Sequence, residues 1–447
     1  MRKLNRREML GNLAAATAGI TILPGCVTRP HRTYAANEKV DVAVVGAGIG
    51  SHNARMLRDQ GENVVALCDV DRRRLEGWAK EHPQARRYQD FRVMLEKEKL
   101  DGIVVAAPDH NHATISIAAM RQGVHCFCQK PLTQTIYEAR LMTQTAARTQ
   151  CMTQIGTDTC TGLANTQTKA LIESGILGDI TEVHVWTDRP IWPQGFEAPS
   201  QSDPIPSSLD WDLWLGPAKQ RPYCSTWPKG HAVYDLPERE RNSTVYHPFV
   251  WRGWYDFGTG ALGDIASHSL NQVFWNLDLG APESAELVSC SPMTREMFPR
   301  SAVIKLNFPA KPGRAAVSVI WYDGGNRPPV DIAGVSAPGG VVYMGTKNSF
   351  PKGRGPFRGK EYAYEMPEGE FSARDDIHKD WCDGIRTGRL PAGHFGWSGP
   401  LTEAILLGNV ALRAQQKILW DSKAMHVTNC PEANALLRRD NRKGWEL

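Results

Sequence analysis

No apolar run in this 447-residue chain is long enough to cross a bilayer as a helix, which takes about 20 such residues. There is no internal repeat and no low-complexity tract, which excludes a repeat architecture. Neither charge is in real excess. Of the formal net charge of +4, Arg2, Lys3, Arg6 and Arg7 against Glu8 supply +3. The remainder mixes acids and bases, so nothing marks a nucleic-acid footprint. The ten cysteines lack zinc-ribbon spacing. Cys126 and Cys128 sit two apart on an expected strand, and Cys68 and Cys151 lie in or beside apolar runs. They read as buried reduced thiols, although an exported chain could form a disulfide. What remains is globular composition, 41% hydrophobic and 22% charged, with length enough for two domains and a large core.

Residues 1–26 have the logic of a targeting leader. A basic patch ends in Arg6-Arg7, and Glu8-Met9-Leu10 opens a mildly apolar stretch to Leu23. That stretch is too short and too rich in Ala, Gly and Thr to span a membrane. The twin arginine reads as a Tat-type export signal, which carries proteins already folded. Leu23-Pro24-Gly25-Cys26 resembles a bacterial lipobox, so Cys26 is a candidate for lipid attachment. The expected location is the periplasm, or a lipid-anchored position on the outer side of the inner membrane or at the outer membrane. With the polar linker 27–38, this makes a first segment of residues 1–38.

From residue 39 to 157 short apolar runs alternate with helical patterns. Strands are expected at Val40–Val45, Val64–Cys68, Gly102–Ala107, Val124–Cys128 and Met152–Ile155, with helices at Gly50–Gln60, Ala113–Gln122 and Ile136–Thr149. Such alternation gives an α/β, doubly wound parallel sheet of Rossmann type. Ligands then sit at the carboxyl ends of the strands, where Gly46, Asp69, Pro108 and Lys130 fall. Residues 158–447 read as a second, α+β domain for substrate binding and oligomerisation. Its expected elements are a helix at Leu163–Ser174 and strands at Ile180–Trp186, Leu287–Cys290, Ala302–Phe308, Ala315–Trp321 and Val341–Gly345, in a large, mostly antiparallel open sheet. Late helices at Ile377–Arg386 and Leu401–Gln416 are expected to pack back on the first domain. Residues 188–261 are long, irregular and rich in Pro and Trp, and a loop of that length is usually functional.

Three clusters carry chemistry. Gly46-Ala-Gly48-Ile49-Gly50-Ser51 follows the first strand and opens a helix. Gly46 and Gly48 let the backbone turn and approach a pyrophosphate on the helix N-terminus. Ser51 takes the place of the third glycine, where a small residue allows close helix–strand packing. Asp69, 23 residues after Gly46, suits the ribose hydroxyls and disfavours a 2′-phosphate, so NAD is the expected cofactor; Arg72, Arg73 and Arg74 keep NADP open. Pro108-Asp109-His110-Asn111-His112 reads as a turn beside the nicotinamide ribose, with Asn111 capping the next helix. Pro108 and His112 are therefore placed with the cofactor. Gln129-Lys130-Pro131 closes a strand, and Lys130 beside a nicotinamide can donate to a substrate hydroxyl. Asp264 and His268 are i, i+4, on one face of a helix that follows the glycine-rich 258–263.

The order of these motifs, ending in Gly263-Asp264-Ile-Ala-Ser-His268, resembles the Gfo/Idh/MocA oxidoreductases over roughly residues 39–447. That family takes in glucose–fructose oxidoreductase, itself a Tat substrate, and inositol dehydrogenases. The resemblance implies a catalytic trio of Lys130, Asp264 and His268. The family usually has Glu-Lys-Pro where this chain has Gln129-Lys130-Pro131. It also implies a homo-oligomer.

The loop from Tyr246 to Asp256 is the expected specificity element. Aromatic faces with polar edges suit a sugar ring, with His247, Trp251, Arg252 or Asp256 on its hydroxyls, although aromatic packing that merely pins the loop is nearly as good a reading for any single tryptophan. No metal site is expected. The expectation is hydride transfer between a sugar, glycoside or cyclitol hydroxyl and a tightly held NAD(P). The alternatives are a redox-neutral NAD-dependent glycosidase or lyase, working by oxidation, elimination and reduction, and a non-catalytic NAD-binding sensor.

Overall fold

A computed structural model describes residues 33–35, 38–157, 162–329, 338–352 and 376–447. The twin arginine and Cys26 lie outside the described residues. The first sheet has six parallel strands: β1 (Asp41–Val45), β2 (Asn63–Cys68), β3 (Arg86–Tyr88), β4 (Gly102–Val105), β5 (His125–Gln129) and β6 (Thr153–Gly156). Their order is β3-β2-β1-β4-β5-β6, so the winding reverses between β1 and β4. β1 shows why its sequence is an apolar run. Ala43 and Val45 enter the core on one face of the sheet, and Val42 and Val44 the core on the other.

Around this sheet lie α1 (Gly50–Asp59), α2 (Arg72–Ala79), α3 (Phe91–Lys97), α4 (Asp109–Arg121) and α5 (Ile136–Thr149). The sequence pattern did not mark β3, α2 or α3. The signals for the two helices were Asp71 and Asp90, whose carboxylates cap α2 and α3 by accepting from the Arg73 and Arg92 N–H groups. α4 corrects one expectation. It starts at Asp109, not Ala113, and Asn111 does not cap it: the Asn111 amide donates to the Trp214 carbonyl at 3.2 Å.

After α6 (Leu163–Glu173) the chain adds β7 (Ile180–Thr187), α7 (Trp211–Leu215), α8 (Gly260–Leu277), β8 (Ser284–Cys290), β9 (Ala302–Phe308), β10 (Val317–Tyr322), β11 (Gly339–Gly345) and β12 (Ser349–Lys352). It closes with α9 (Ile377–Thr387), α10 (Phe395–Ala414), β13 (Ile418–Asp421) and β14 (His426–Val427). The eight strands form a second sheet, β12-β11-β7-β10-β9-β8-β13-β14. Its pairings are antiparallel except β7 with β10. Leu270 and Phe274 of α8, Leu407 and Val410 of α10, and Ile304 and Trp321 of the sheet share one core. α10 also clamps the first sheet's helices: Arg140 of α5 holds Glu403 through two bonds of 2.7 and 2.6 Å. α9 buries Trp381 against the first sheet, its indole donating to the Met152 carbonyl. Eight cysteines fall in the described residues, and all are free thiols. No helix of the described residues is long and apolar enough to cross a membrane.

Candidate active site

A cavity of about 550 Å³ opens at the carboxyl ends of β1, β2, β4 and β5, roofed by residues 213–214 and 247–252. Its floor begins at Gly46. That residue has φ +99°, and a Cβ there would stand 2.4 Å from the Ala106 carbonyl oxygen. Only glycine fits. Gly48 meets nothing within 4 Å, so its backbone is open to the cavity. The third small residue is not Ser51 as expected but Gly50. A Cβ on Gly50 would lie 3.2 Å from Val44 and 3.3 Å from Ala106, whereas Ser51 turns away and donates to the Ala47 carbonyl. Ile49 lines the cavity with 49% of its surface exposed, an apolar side chain without a cover.

Asp69 follows β2 and is buried. Its two oxygens accept the Ala47 N–H at 2.6 Å and the Asp71 N–H at 2.8 Å. Burial raises its pKa against the pull of those two donors and of Arg74. Of the three arginines that follow, Arg72 donates to the Ser207 carbonyl and Arg73 pairs with Asp71; Arg74 alone lines the cavity.

Lys130 lies at the opposite wall. Its ammonium donates to the Asp264 carboxylate at 2.9 Å and to the Asp264 carbonyl at 3.1 Å. Arg252 donates to the same carboxylate oxygen at 3.3 Å. Burial works to raise the Asp264 pKa, but Lys130 and then Arg252 overcome it and hold it at about 2. His268 stands one turn along α8 and also stabilises the Asp264 charge; its Nδ1 meets the Thr157 hydroxyl at 3.1 Å. The described lining of the cavity reaches Lys130 and Arg252, with Asp264 behind them. Pro108 and His112 also line it. His112 is pinned, Nδ1 2.8 Å from the Pro131 carbonyl and Nε2 2.7 Å from that of Ala107. It ties the end of β4 to the turn that carries Lys130. Burial lowers its pKa to about 4, so it is neutral there.

The aromatic loop divides into two sets. Trp254, Tyr246 and Phe257 close around Arg221, whose guanidinium lies 5.1–5.5 Å from the three rings, in a core that Trp214 and Trp251 share. Trp214 and Trp251 face the cavity, with His247, and Arg252 stacks on Trp251 at 4.2 Å. Asp256 is a correction: its carboxylate pairs with Arg221 at 2.6 Å and is not among the cavity's lining residues. Among the described residues no group of three His, Cys, Asp or Glu could hold a metal ion.

Among the lining residues that the sequence reading missed are Trp214, Trp445 and Asp109. Trp214 was legible only as one of many tryptophans. Trp445 comes from the far end of the chain, with Arg92 stacked on it at 4.6 Å. Asp109 was quoted only within its turn. It is 1% exposed, Thr259 donates to its Oδ2 at 2.9 Å, and its Oδ1 has no partner among the described residues.

Comparison with known proteins agrees with this arrangement. Residues 40–157 match the family model described as oxidoreductase family, NAD-binding Rossmann fold, and residues 161–447 that family's C-terminal alpha/beta domain. A D-apiose dehydrogenase of Paraburkholderia graminis is 35% identical over 108 residues, 24% of this chain and 29% of that protein. A glycosyl hydrolase family 109 protein of Shewanella is 25% identical over 207 residues, 40% of this chain and 45% of that one. The chain thus spans less than half the length of these curated relatives. In fold it is similar to the WlbA dehydrogenase of Bordetella pertussis, solved with NADH and UDP-GlcNAcA, with a TM-score of 0.57 at 18% identity over 86% of this chain and 99% of that one. Matched across both sheets, the chain belongs to the Gfo/Idh/MocA oxidoreductase family.

Proposed function

We propose that this chain is an NAD-dependent oxidoreductase that moves hydride between a nicotinamide and a hydroxyl-bearing carbon of a sugar, glycoside or cyclitol. One observation carries the reading: Lys130, with its Asp264 partner, shares a single cavity with the Gly46–Ile49 turn and Asp69. The residues fit the cofactor. The Gly46 turn has no room for a side chain, and α1 begins with no side-chain cap and no acid in its first turn, which leaves its positive end for a pyrophosphate. Asp69 suits the ribose hydroxyls, and its charge favours NAD over NADP. When bound, the nicotinamide supplies the hydride acceptor.

The chain's own residues do the rest. Two of the three Lys130 N–H groups are spent on Asp264, and the third is left for a substrate hydroxyl oxygen. Asp264 aims Lys130. His268 is the residue that the motif assigns to the hydroxyl proton. Trp251 and Arg252 form the substrate side of the cavity, whereas His247, expected there, lies 3.9 Å from Asp71 at the Asp69 end. A second reading, redox-neutral cleavage of a glycoside, is favoured by the likeness to a family 109 glycosyl hydrolase.

The test is native mass spectrometry and absorbance of the purified protein before and after mixing with a panel of sugars and glycosides. Lasting reduction of a bound nicotinamide supports the oxidoreductase; a cleaved glycoside without lasting reduction supports the second reading. Absence of any nucleotide, even after adding NAD or NADP, overturns both. Export, with lipid attachment at Cys26, rests on the twin arginine and the lipobox-like Leu23–Cys26. Fractionation, with an intact mass of the mature chain, tests it. Self-association through the second sheet is tested by sedimentation.

A further inference from the structure

Arg252 holds its carboxylate partner loosely. Only its Nε meets Asp264, at 3.3 Å, and on the oxygen that Lys130 already occupies at 2.9 Å. The strong pairing of guanidinium and carboxylate is a fork of two parallel N–H bonds. Arg140 makes that fork in the same chain, gripping Glu403 at 2.7 and 2.6 Å. Of the two terminal nitrogens of Arg252, Nη1 donates to the Phe249 carbonyl at 3.0 Å, and Nη2 donates to no group among the described residues. Nor is Nη2 a buried atom stranded in the wall: the side chain is 21% exposed and lines the cavity. Asp264 owes its low pKa more to Lys130 than to Arg252. The guanidinium edge is therefore not spent on Asp264.

That edge is nonetheless held still. The guanidinium stacks on the Trp251 ring at 4.2 Å and lies 4.6 Å from the Phe249 ring. The side-chain freedom that an arginine loses on gripping an anion is thus largely lost beforehand. The local charge points the same way. Lys130 and Arg252 line the cavity, and Asp264 behind them answers one of their two positive charges. Asp109 stands in the wall at 1% exposure and offsets little of the other, since burial, then Asp264, pushes its pKa up to about 8. The pyrophosphate that the Gly46 turn would take lies at the opposite wall. One unanswered positive charge suits a carboxylate, with one negative charge, better than a phosphate monoester, with nearly two. Lys130 Nζ and Arg252 Nε lie 2.9 and 3.3 Å from one shared oxygen, so they are no farther apart than those two lengths end to end. An acid on Arg252 is then within a few carbons of a hydroxyl on Lys130.

We propose that the substrate of this enzyme is a sugar acid, its carboxylate held on the free guanidinium edge of Arg252 and its reacting hydroxyl on Lys130. The inference rests on the oxidoreductase reading above and names the substrate class for that site. Arg252 is then the residue that selects the acid over the neutral sugar. Asp264 stands between the two cations and sets their spacing, which fixes how far the acid group lies from the carbon that loses hydride.

The experiment is the dissociation constant of D-glucuronate, D-galacturonate and D-mannuronate for the NADH complex of the full chain, read by NADH fluorescence. Each is measured beside its parent hexose, its methyl ester and the hexose 6-phosphate, and cofactor reduction by the same compounds is followed by absorbance. The expected result is one uronate that binds about thirtyfold or more tightly than its parent hexose and its ester, and whose binding weakens with added salt. In Arg252→Gln that preference falls to within a few-fold, while NADH binding close to wild type shows that the fold is intact. Arg252→Lys keeps the charge without the fork and recovers only part of the preference. The comparison of acid with ester uses the unaltered protein and covers the case in which Arg252→Gln fails to fold. Uronates that bind no better than their hexoses or esters, a preference that survives Arg252→Gln, or a 6-phosphate that binds more tightly than the uronate overturns the proposal and leaves the oxidoreductase reading standing. Failure to bind either NAD+ or NADH overturns both.

Discussion

Lys130 and Asp264 are 134 residues apart in the chain and 2.9 Å apart in space, one just past a strand of the first sheet and the other in α8, which packs on the second. The pair joins the two halves of the molecule at the cavity wall. Both side chains are largely buried, at 16% and 6% exposure, so solvent screens the interaction little. Lys130→Met removes the donor to the substrate oxygen and leaves Asp264 with Arg252 as its remaining partner. Turnover should fall by about a hundredfold or more, with NADH binding within a few-fold of wild type. Single-turnover absorbance and NADH fluorescence separate the two effects, and a loss confined to binding would contradict the assigned role.

Gly46→Ala should act differently. Its Cβ would collide with the Ala106 carbonyl oxygen, and alanine resists φ +99°. The strain is of order 1–3 kcal/mol before any backbone shift. The expected outcome is a lowered Tm together with loss of cofactor binding, because the turn that moves is the one that would meet the pyrophosphate. Calorimetry and nucleotide titration check it; unchanged binding would mean that the turn is not the cradle.

The role proposed for Asp69 in the choice of cofactor is testable. It is held by two backbone donors, with Arg74 as the only one of its three following arginines in the cavity. Asp69→Ser removes the charge that repels a 2′-phosphate and leaves Arg74 to meet it. NAD binding should weaken by about tenfold and the preference over NADP should narrow or reverse. Titration of both nucleotides into wild type and variant reads this directly.

Much of this was legible in the chain because of how its strands are buried. β1, β2, β4 and β5 show as apolar runs since both faces of their sheet are covered, and the glycine turn, Asp69 and Lys130 follow from where those runs end. α2 and α3 were not, since each is short and opens with arginines or exposed side chains, and only their Asp caps announce them. Asp109 was seen only as part of a turn. Its environment is made by Thr259, Asp264 and Arg252, which chain folding brings from far downstream, and no local pattern encodes that. Gly50 and Ser51 exchanged roles by one position, a difference that helix phase decides and spacing alone does not.

The tryptophans can be sorted by experiment. Trp254 is fully buried, with its indole donating to the Val245 carbonyl at 2.8 Å, in the core that closes around Arg221. Trp254→Ala should cost about 3–5 kcal/mol and loosen the whole roof. Trp251 is also buried but faces the cavity and carries Arg252 on its ring. Trp251→Ala should cost less stability and raise KM for the substrate. Urea denaturation beside steady-state kinetics distinguishes them, and a larger stability loss at Trp251 than at Trp254 would reverse the assignment.

Gln129 stands where the family usually has glutamate, and a chain of hydrogen bonds explains why an amide suits this protein. Its Nε2 donates to Asn53 Oδ1 at 3.1 Å; Asn53 Nδ2 meets His378 Nε2 at 2.8 Å; His378 Nδ1 meets the Asp376 carboxylate at 2.8 Å. Read in that direction, every donor has an acceptor and the imidazole needs only its Nδ1 proton. Gln129→Glu turns the chain around. A carboxylate at 129 needs Asn53 to donate, which leaves Asn53 Oδ1 facing His378 Nε2. The network is then complete only when the imidazole carries both protons. With a single proton on the imidazole one buried contact is lost, at about 1–3 kcal/mol. The variant should therefore melt below wild type. Thermal melts decide the matter, and an unchanged Tm would show that Asn53 and His378 do not read the residue at 129.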